Sequence, residues 1–424
     1  MGRLKVSKVF VALILSLLLH YNAFAQQSLG NSKKMNTSVR KGFEFELLSD
    51  FKNEVKNNKA AYFPPKEYKL DSSQRKLLKG VFAVPQANTV ATFAPDDSVR
   101  LIKFNGNSVD FDKFGSLEYG GEFAYLRNSG SDFTAFAQTR GINLLDFKTG
   151  EIKEFSGTDS ISEYIKEIWI ADDKKRYLLV LSKEVGGYAL DKNLVGRDIL
   201  RLIDFSSNEQ KVLRQMVLPK KDKDGYVDFV ELFGDTIFAY RKDNIRAYDL
   251  EFNQKQHPLV EQFYKHKDEY SYNAISYVSA HPQLPFSWID EINYDEMVYE
   301  ANWVAYWGEQ SGFDMFLSGL VSSRLFFSPD NKWLVFSGMI KRQSRMIAIP
   351  ISEKLPHYLG RPILLGDNPE VDDMRMAFTT DPVGVVLATD DIIYKWDLPP
   401  VPEDIEAWNK DPQPFIDAWI KSRQ

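Results

Sequence analysis

The sequence contains no cysteine. It therefore forms no disulfide bond and offers no thiolate ligand to zinc or to an iron–sulfur cluster. It also lacks the residue that would carry a lipid at a mature N-terminus. A chain of 424 residues can do without disulfides, because a chain of this length buries a large apolar core.

Histidine is scarce, with five copies in the chain. Three of them, His257, His266 and His281, lie near one another in sequence and would allow a catalytic triad or a metal centre. However, no G-x-S-x-G or H-E-x-x-H motif and no phosphate-binding glycine loop occurs. We predict that these are surface or hydrogen-bonded histidines. The sequence assigns no catalytic residue, no cofactor and no metal.

Long apolar runs are also missing beyond the N-terminus. There, Arg3, Lys5 and Lys8 precede the apolar run Val9–Leu19, and Ala23-Phe24-Ala25 supplies small residues for cleavage before Gln26. The alternative is a membrane anchor, but the run is shorter than the roughly 20 residues that span a bilayer. Residues 1–25 therefore predict a signal peptide, a periplasmic or secreted protein, and no transmembrane segment.

Positively charged residues are fewer than negatively charged ones, with 53 Lys and Arg against 59 Asp and Glu. The formal net charge is −6, and removal of residues 1–25 takes away three positive charges and no negative ones. No basic stripe stands out, and an acidic surface repels anionic lipid as well as phosphate backbones. The composition therefore predicts no nucleic-acid partner.

Internal repetition is the main signal that is present. Three segments align without gaps, each with a strand end, an Asp, a further apolar residue and then Gly or Asn: 144–151, 202–209 and 247–254. Gly and Asn tolerate positive φ in a hairpin turn, and Asp can accept hydrogen bonds from the turn backbone. The pattern predicts aspartate-capped turns at Asp146, Asp204 and Asp249, and positive φ at Gly150, Asn208 and Asn253.

Weaker copies extend the repeat along the chain at intervals of roughly 40–50 residues, each with about four short strands, which is typical of propeller blades. The sequence therefore predicts an all-β protein with a single β-propeller of seven blades. Residues 258–320 would be a degenerate blade. The alternative is six blades, with 258–320 as an insertion.

One hairpin, Ser328–Phe336, carries a family resemblance. Its Ser328-Pro329-Asp330-Asn331 start resembles the S-P-D-G-x-x-L-x-F hairpin of TolB-like and WD-repeat-like propellers, with Asn in place of Gly. Ala94–Asp97 is a looser copy, and Trp396-Asp397 is similar to the W-D strand ending. The resemblance implies the fold and, by the habit of these families, a binding or scaffold role.

The domain organisation follows from these patterns. We predict a signal peptide over 1–25, a flexible tether over 26–41, the propeller over 42–398, and a Pro-rich turn with a C-terminal helix over 399–424. Phe43–Leu48 alternates apolar and acidic residues and is expected to complete the last blade. One face of the C-terminal helix carries the apolar residues Phe415, Ile416, Trp419 and Ile420.

The segment 220–231 is a weak match to a calcium loop. With Gly225 at the sixth position, Asp222, Asp224, Asp228 and Glu231 fall at ligand positions. The first position is Lys220, which replaces a ligand with a cation. We therefore predict a charged connection between blades and no bound calcium.

The segment 288–307 combines aromatic and acidic residues, as a sugar-binding cleft or a glycosidase site would. Core packing of the aromatics is the other interpretation. Residues kept as ligand-binding candidates are Trp288, Tyr294, Trp303 and Trp307.

These patterns together predict an exported, non-catalytic propeller. It would bind a protein or a glycan in the cell envelope and act as a monomer. The alternative is a hydrolase or lyase acting on polysaccharide, with its site in the central channel or in 258–320.

Overall fold

The apolar segments predicted as strands form β-sheets that follow one another along the chain. The structure is a computed structural model. It describes residues 50–423 apart from 52, 97, 117–124, 127–131, 139–140, 157–162, 173, 185–197, 208, 219–228, 242–243, 271–273, 282, 294–297, 307–311, 317–320, 341–342, 354–357 and 368–374. These described residues form seven sheets, numbered I to VII in chain order.

Each sheet consists of consecutive strands, except where the chain ends meet and where the short strand β6 (Tyr125–Leu126) joins sheet III. Sheet I consists of β2 (Gly80–Ala83), β3 (Thr89–Phe93), β4 (Ser98–Asn105) and β5 (Ser108–Ser116). Sheet II consists of β7 (Phe133–Gln138), β8 (Gly141–Asp146) and β9 (Ile152–Ser156). Sheet III contains β10 (Glu163–Asp172), β11 (Tyr177–Glu184), β12 (Asp198–Asp204) and β13 (Lys211–Val217). Sheets IV and V are formed by β14 (Phe229–Phe233), β15 (Thr236–Arg241), β16 (Asn244–Tyr248) and β17 (Gln254–Lys255); and by β18 (Ala274–Ala280), β19 (Phe286–Asn293), β20 (Val298–Tyr306) and β21 (Gly312–Phe316). Sheets VI and VII are formed by β22 (Val321–Phe327), β23 (Trp333–Ile340), β24 (Gln343–Pro350) and β25 (Ile363–Asp367); and by β26 (Met376–Thr379), β27 (Gly384–Ala388), β28 (Ile392–Asp397) and β1 (Lys66–Lys69). The helices are α1 (Ser72–Arg75), α2 (Pro258–Tyr270), α3 (Ile405–Lys410) and α4 (Gln413–Ser422). The described residues 50, 51 and 53–56 also have helical backbone.

Sheet II has three strands, whereas each of the other sheets has four or more. The sequence predicts Glu122–Leu126 as the first strand of sheet II. Its end, β6 (Tyr125–Leu126), instead pairs in parallel with Glu167 and Ile168 of β10, so it extends sheet III. The fold is an all-β propeller, and within the residues that the structure describes six blades are complete, the number of the alternative prediction. Counting sheet II as a further blade gives seven.

The hydrophobic core lies between neighbouring sheets. Side chains alternate along a strand, so both faces of β11 are covered: Val180 packs towards sheet II and Leu181 towards sheet IV. The same packing joins Val90 of sheet I to Val386 of sheet VII. The first and last sheets are therefore neighbours, and the sheets close into a ring.

Ring closure uses a strand from the other end of the chain. β1 pairs antiparallel with β28, with Lys66 opposite Lys395. The prediction that Phe43–Leu48 fills this position is wrong: that segment lies outside the described residues, and β1 is the outer strand of sheet VII. The sequence pattern does not reveal β1, because only Tyr68 among its residues is buried.

The predicted aspartate-capped turns are confirmed. The Asp146 carboxylate accepts hydrogen bonds from the backbone N–H groups of Lys148 and Thr149, at 2.9 and 3.0 Å. Asp204 and Asp249 make equivalent bonds to the backbone two residues further along. A short polar side chain thus holds each turn between consecutive strands.

The predicted positive φ values are met at one of three positions. Gly150 has φ 73°, as expected, and Asn208 lies outside the described residues. The prediction for Asn253 is wrong, because φ is 63° at Phe252 instead. The reason is a shorter turn: the Asp249 N–H donates to the carbonyl four residues ahead, whereas the Asp146 N–H donates five residues ahead.

Residues 258–320 are not a bare insertion. They contain all four strands of sheet V, preceded by helix α2, in which Leu259 and Phe263 are fully buried. The hydroxyl of Tyr264 in α2 bonds both the N–H and the carbonyl of Ile245. The Tyr264 hydroxyl thus provides hydrogen-bond partners for the backbone of β16 at a position that the short strand β17 does not reach.

Two terminal segments cover the outer edge of sheets VI and VII. One is the N-terminal strap, residues 53–65, whose Phe63 N–H donates to Leu364 O while the Leu364 N–H donates to Ala61 O, both at 2.9 Å. The other is the helical C-terminal tail, α3 and α4, in which Trp408 and Ile416 are fully buried. The tail is as predicted, and its apolar face packs against sheets VI and VII.

Four tryptophan indoles tie these segments together, each donating its N–H to a backbone carbonyl. The pairs are Trp333 to Pro399 (3.2 Å), Trp396 to Phe63 (3.0 Å), Trp408 to Arg361 (2.9 Å) and Trp419 to Asp397 (2.7 Å). The strap, the tail and the two sheets form one continuous structure, which we call the seam. Among the described residues, no helix is long and apolar enough to cross a membrane.

Candidate functional site

A groove of about 400 Å³ opens at the seam, between the outer strands of sheets VI and VII. The strap forms one side of it. Its polar lining comes from Asn58, Tyr62 and Glu67 near the N-terminus, from Arg345 in β24 and from Tyr394 in β28. Ring closure therefore brings together residues from opposite ends of the chain.

The floor of the groove is shaped by a β-bulge. Met346 pairs with Gly366 but Ile347 pairs with Leu364, so Leu365 is an extra residue in β25. The bulge turns Gly366 towards Trp396, and a Cβ at Gly366 would meet Trp396 Cζ2 at 3.5 Å, an ordinary contact. Gly366 lines the groove, so a side chain at position 366 would take up part of its space.

The strap is held in place by the C-terminal tail. The side-chain amide of Gln413 pairs with both backbone groups of Tyr62: Oε1 accepts from the Tyr62 N–H at 2.9 Å, and Nε2 donates to the Tyr62 carbonyl at 3.3 Å. The amide thus replaces a neighbouring strand at the sheet edge. Tyr62 is fixed through its backbone, while the residue as a whole remains 42% exposed.

The two tyrosines of the groove differ in their surroundings. The Tyr394 ring is half-buried and stacks on Trp396, with ring centroids 6.2 Å apart and an angle of 26°. Burial and the nearby Glu67 carboxylate raise the pKa of Tyr62. The Tyr62 hydroxyl therefore keeps its proton and can donate a hydrogen bond.

A second cavity, of about 240 Å³, lies between sheets IV and V and contains His257, His281 and Asp235. The buried His281 ring accepts from the N–H groups of Gln283 and Leu284 through Nδ1, and its Nε2 lies 2.9 Å from Asn331 O. Since Nδ1 is an acceptor, Nε2 carries the proton and donates it to that carbonyl. The ring links sheet V to the hairpin of sheet VI.

His257 begins helix α2. Its Nδ1 accepts from the Leu259 N–H at 3.1 Å, as an N-cap side chain does. Burial, with Lys255 nearby, lowers the pKa of His257 to about 4, against a smaller opposing effect of Asp235. Both histidines are therefore neutral hydrogen-bonding groups with a structural role, which agrees with the prediction for them. His266 lies in α2.

The free energy of unfolding should fall as the pH drops from about 6.5 towards 4. In this pH range His257 takes up a proton in the unfolded chain but not in the folded protein. We expect the melting temperature to fall more between pH 7.5 and pH 5 in the native protein than in His257→Asn. Asparagine is a good N-cap but does not titrate in this range. Equal losses in both proteins would show that His257 is not responsible.

The predicted aromatic site falls partly within the described residues. Trp288 is fully buried and packs on Phe336 with ring centroids 5.6 Å apart, so it belongs to the core between sheets V and VI. Trp303 lies in β20, opposite Ile289. Tyr294 and Trp307 lie outside the described residues, and ligand binding by these three remains a prediction.

The calcium candidates are likewise divided. Asp222, Asp224 and Asp228 lie outside the described residues. Glu231 lies in β14 and is buried, and its Oε2 accepts from the Trp169 indole N–H at 3.4 Å. Among the residues that the structure describes, no group of three or more His, Asp or Glu side chains is placed to hold a metal ion.

We expect calcium to leave the melting temperature unchanged. Tight binding to the native state would have to raise it, by mass action, at about 1 mM calcium. The Glu231 carboxylate faces an indole within the core, and Lys220 stands at the first loop position. A rise of several degrees that Glu231→Gln abolishes would contradict this expectation.

Sequence reasoning missed the groove residues. Tyr62 and Glu67 lie near the N-terminus and Tyr394 near the C-terminus, and neither Tyr62 nor Glu67 belongs to a repeat or motif of the sequence. The only available signal was Pro64-Pro65, which ends the strap just before β1 and marks a change of direction. Tyr394 was visible only as part of a blade ending.

No family model matches the chain, and no curated protein matches it. Its fold is similar to that of the Pan2 WD40 domain of Neurospora crassa, with a TM-score of 0.45, 9% identity, and coverage of 78% of this chain and 89% of that one. The C-terminal WD40 domain of Sif2 is similar at 0.44 and 10%, over 75% and 96%. A putative oxidoreductase (glucose dehydrogenase) of Thermus thermophilus is similar at 0.41 and 9%, over 65% and 97%. The likeness concerns the fold alone.

Proposed function

We propose that this protein is exported and that its propeller is a binding module, which holds a partner without changing it chemically. The observation that carries the proposal is the seam groove, where two tyrosines, a carboxylate, a guanidinium and an amide line one concave space. Binding sites for small ligands usually combine a concave apolar or aromatic surface with a few polar groups.

Export is the part of the proposal that rests on sequence alone. The basic, apolar and small-residue regions of 1–25 support cleavage after Ala25 and a periplasmic or secreted product. The partner would then be a protein or a glycan of the cell envelope. The acidic composition supports neither nucleic acid nor an anionic lipid surface as a partner. We propose that the protein acts as a monomer.

Cell fractionation tests the export step. The full chain should appear outside the cytoplasm with Gln26 as its first residue, and a variant without residues 1–25 should stay in the cytoplasm. Recovery of both proteins in the cytoplasm, or an uncleaved N-terminus in the membrane fraction, would contradict export of a cleaved protein.

Binding and catalysis are distinguished by measuring how much envelope material the protein retains and whether that material is chemically changed. Immobilised mature protein should retain envelope material, and the retained material should be recovered with unchanged length and composition. A variant with a blocked groove, Gly366→Leu, should retain much less. The rival function, a polysaccharide hydrolase or lyase, predicts new reducing or unsaturated chain ends in excess over protein. Such products would overturn the proposal.

A further inference from the structure

Resting on the proposed function, we infer that the seam groove binds a saccharide, as one or two neutral sugar rings at the end or along the chain of a glycan. The inference follows from three features of the groove: the kinds of hydrogen-bonding groups that line it, the aromatic surfaces beside them, and the state of the backbone around it.

The hydrogen-bonding groups of the lining are of mixed kind. The Glu67 carboxylate only accepts hydrogen bonds, the Arg345 guanidinium only donates, and the Asn58 amide and the two tyrosine hydroxyls do both. An anionic ligand would face the Glu67 carboxylate, and a cationic one would face the Arg345 guanidinium. A neutral polyol suits both, because each of its hydroxyls can donate and accept.

The aromatic rings suit a sugar as well. A pyranose ring has an apolar C–H face and a rim of hydroxyls, and tyrosine pairs a flat apolar ring with a polar tip. Tyr62 is 42% exposed, so its ring is accessible. Stacking on the buried Trp396 holds the Tyr394 ring in one orientation, which lowers the entropy cost of binding against it.

The backbone around the groove disfavours a peptide. Peptides that bind by strand addition need a sheet edge whose N–H and carbonyl groups lack partners. In the strap those groups are engaged: the N–H and carbonyl of Tyr62 by Gln413, the N–H of Phe63 by Leu364, and the carbonyl of Phe63 by the Trp396 indole. At Tyr62 and Phe63, recognition must therefore come from side chains.

The groove is also of suitable size. Its volume of about 400 Å³ falls within the roughly 300–1,000 Å³ typical of small-molecule sites. It is too small for a protein domain, but it can hold a short stretch of sugar.

The test is a titration of the mature protein with three sets of probes: neutral mono- and disaccharides built from hexoses and N-acetylhexosamines, the corresponding hexuronates, and a pool of short peptides. We expect at least one neutral saccharide to bind. Gly366→Ala should weaken that binding about tenfold, because its methyl enters the floor of the groove. Its melting temperature should stay close to that of the native protein, since the new Cβ meets Trp396 at an ordinary distance.

A matched pair of tyrosine variants locates the site. Tyr62→Ser should weaken saccharide binding about tenfold. Tyr264→Ser removes a similarly exposed tyrosine from helix α2, which packs on sheets IV and V and does not line the groove, so it should leave the affinity unchanged. A saccharide whose binding ignores Gly366→Ala and Tyr62→Ser would place the site elsewhere and overturn the inference.

The outcomes also separate this inference from the proposed function. If only peptides bind, and Gly366→Ala weakens them, the saccharide inference is wrong and the binding function stands. If no saccharide binds at 10 mM while envelope protein is still retained, the saccharide inference is again wrong and the binding function stands. If no probe binds and no envelope material is retained, both fail.

Discussion

Replacing Trp408 with alanine should lower the free energy of unfolding by about 3–5 kcal/mol, the cost usual for removing a large aromatic side chain from a core. Trp408 is fully buried at the seam, packs edge-on against Trp333 at 5.8 Å, and donates its indole N–H to Arg361 O. The variant should leave a large cavity between the tail and sheet VI. Denaturant unfolding of the mature protein measures the effect.

Two variants in the same helix serve as controls. Trp408→Phe keeps most of the apolar contact but leaves the half-buried Arg361 carbonyl without the indole donor, which should cost about 1–3 kcal/mol. Glu406→Ala changes an exposed position of α3 and should stay within about 0.5 kcal/mol of the native protein. If Trp408→Ala were as mild as Glu406→Ala, the tail would be an appendage and not part of the folded ring.

Gly150→Ala should be far more costly than the same change at Gly106, although both glycines lie in hairpin turns with positive φ. A Cβ at Gly150 would lie 2.3 Å from Phe114 O, a backbone atom that cannot move freely, whereas a Cβ at Gly106 meets nothing within 4 Å. The left-handed backbone alone costs alanine about 1–2 kcal/mol, which is the whole expectation for Gly106→Ala.

Overpacking adds about 1–3 kcal/mol to that strain, so Gly150→Ala should lose about 2–5 kcal/mol. The comparison isolates the close approach between sheets I and II, because the two substitutions share chemistry and turn conformation. Chemical denaturation of both variants, checked by circular dichroism for an unchanged fold, gives the two values. Similar losses would show that β5 and the turn at Gly150 do not touch in solution.

The sequence was informative where a local rule decides the structure. Asp146, Asp204 and Asp249 cap turns because the short carboxylate side chain easily reaches the backbone N–H two residues further along. The position of positive φ was harder to place. A turn shortened by one residue moves it from Asn253 to Phe252, and only the pairing of the flanking strands sets that length.

Long-range pairing explains the larger errors. β1 has one buried side chain and reads as a charged loop, so nothing local marks it as the closing strand. Conversely, Trp288 stands among carboxylates in sequence but points into the core, because neighbours along a strand face opposite sides. The groove depends on pairing between the chain ends, and no sequence window contains it.

The seam also sets the order in which the molecule can be completed. Phe63 and Trp396, which meet there, are 333 positions apart. During synthesis from the N-terminus, β1 and the strap must therefore wait without their partners until β28 and the tail have been made. Contacts of such sequence separation form slowly, because a long loop has to close first. A nascent chain stopped before β28 would keep two open sheet edges, and only release of the complete chain allows the ring to close.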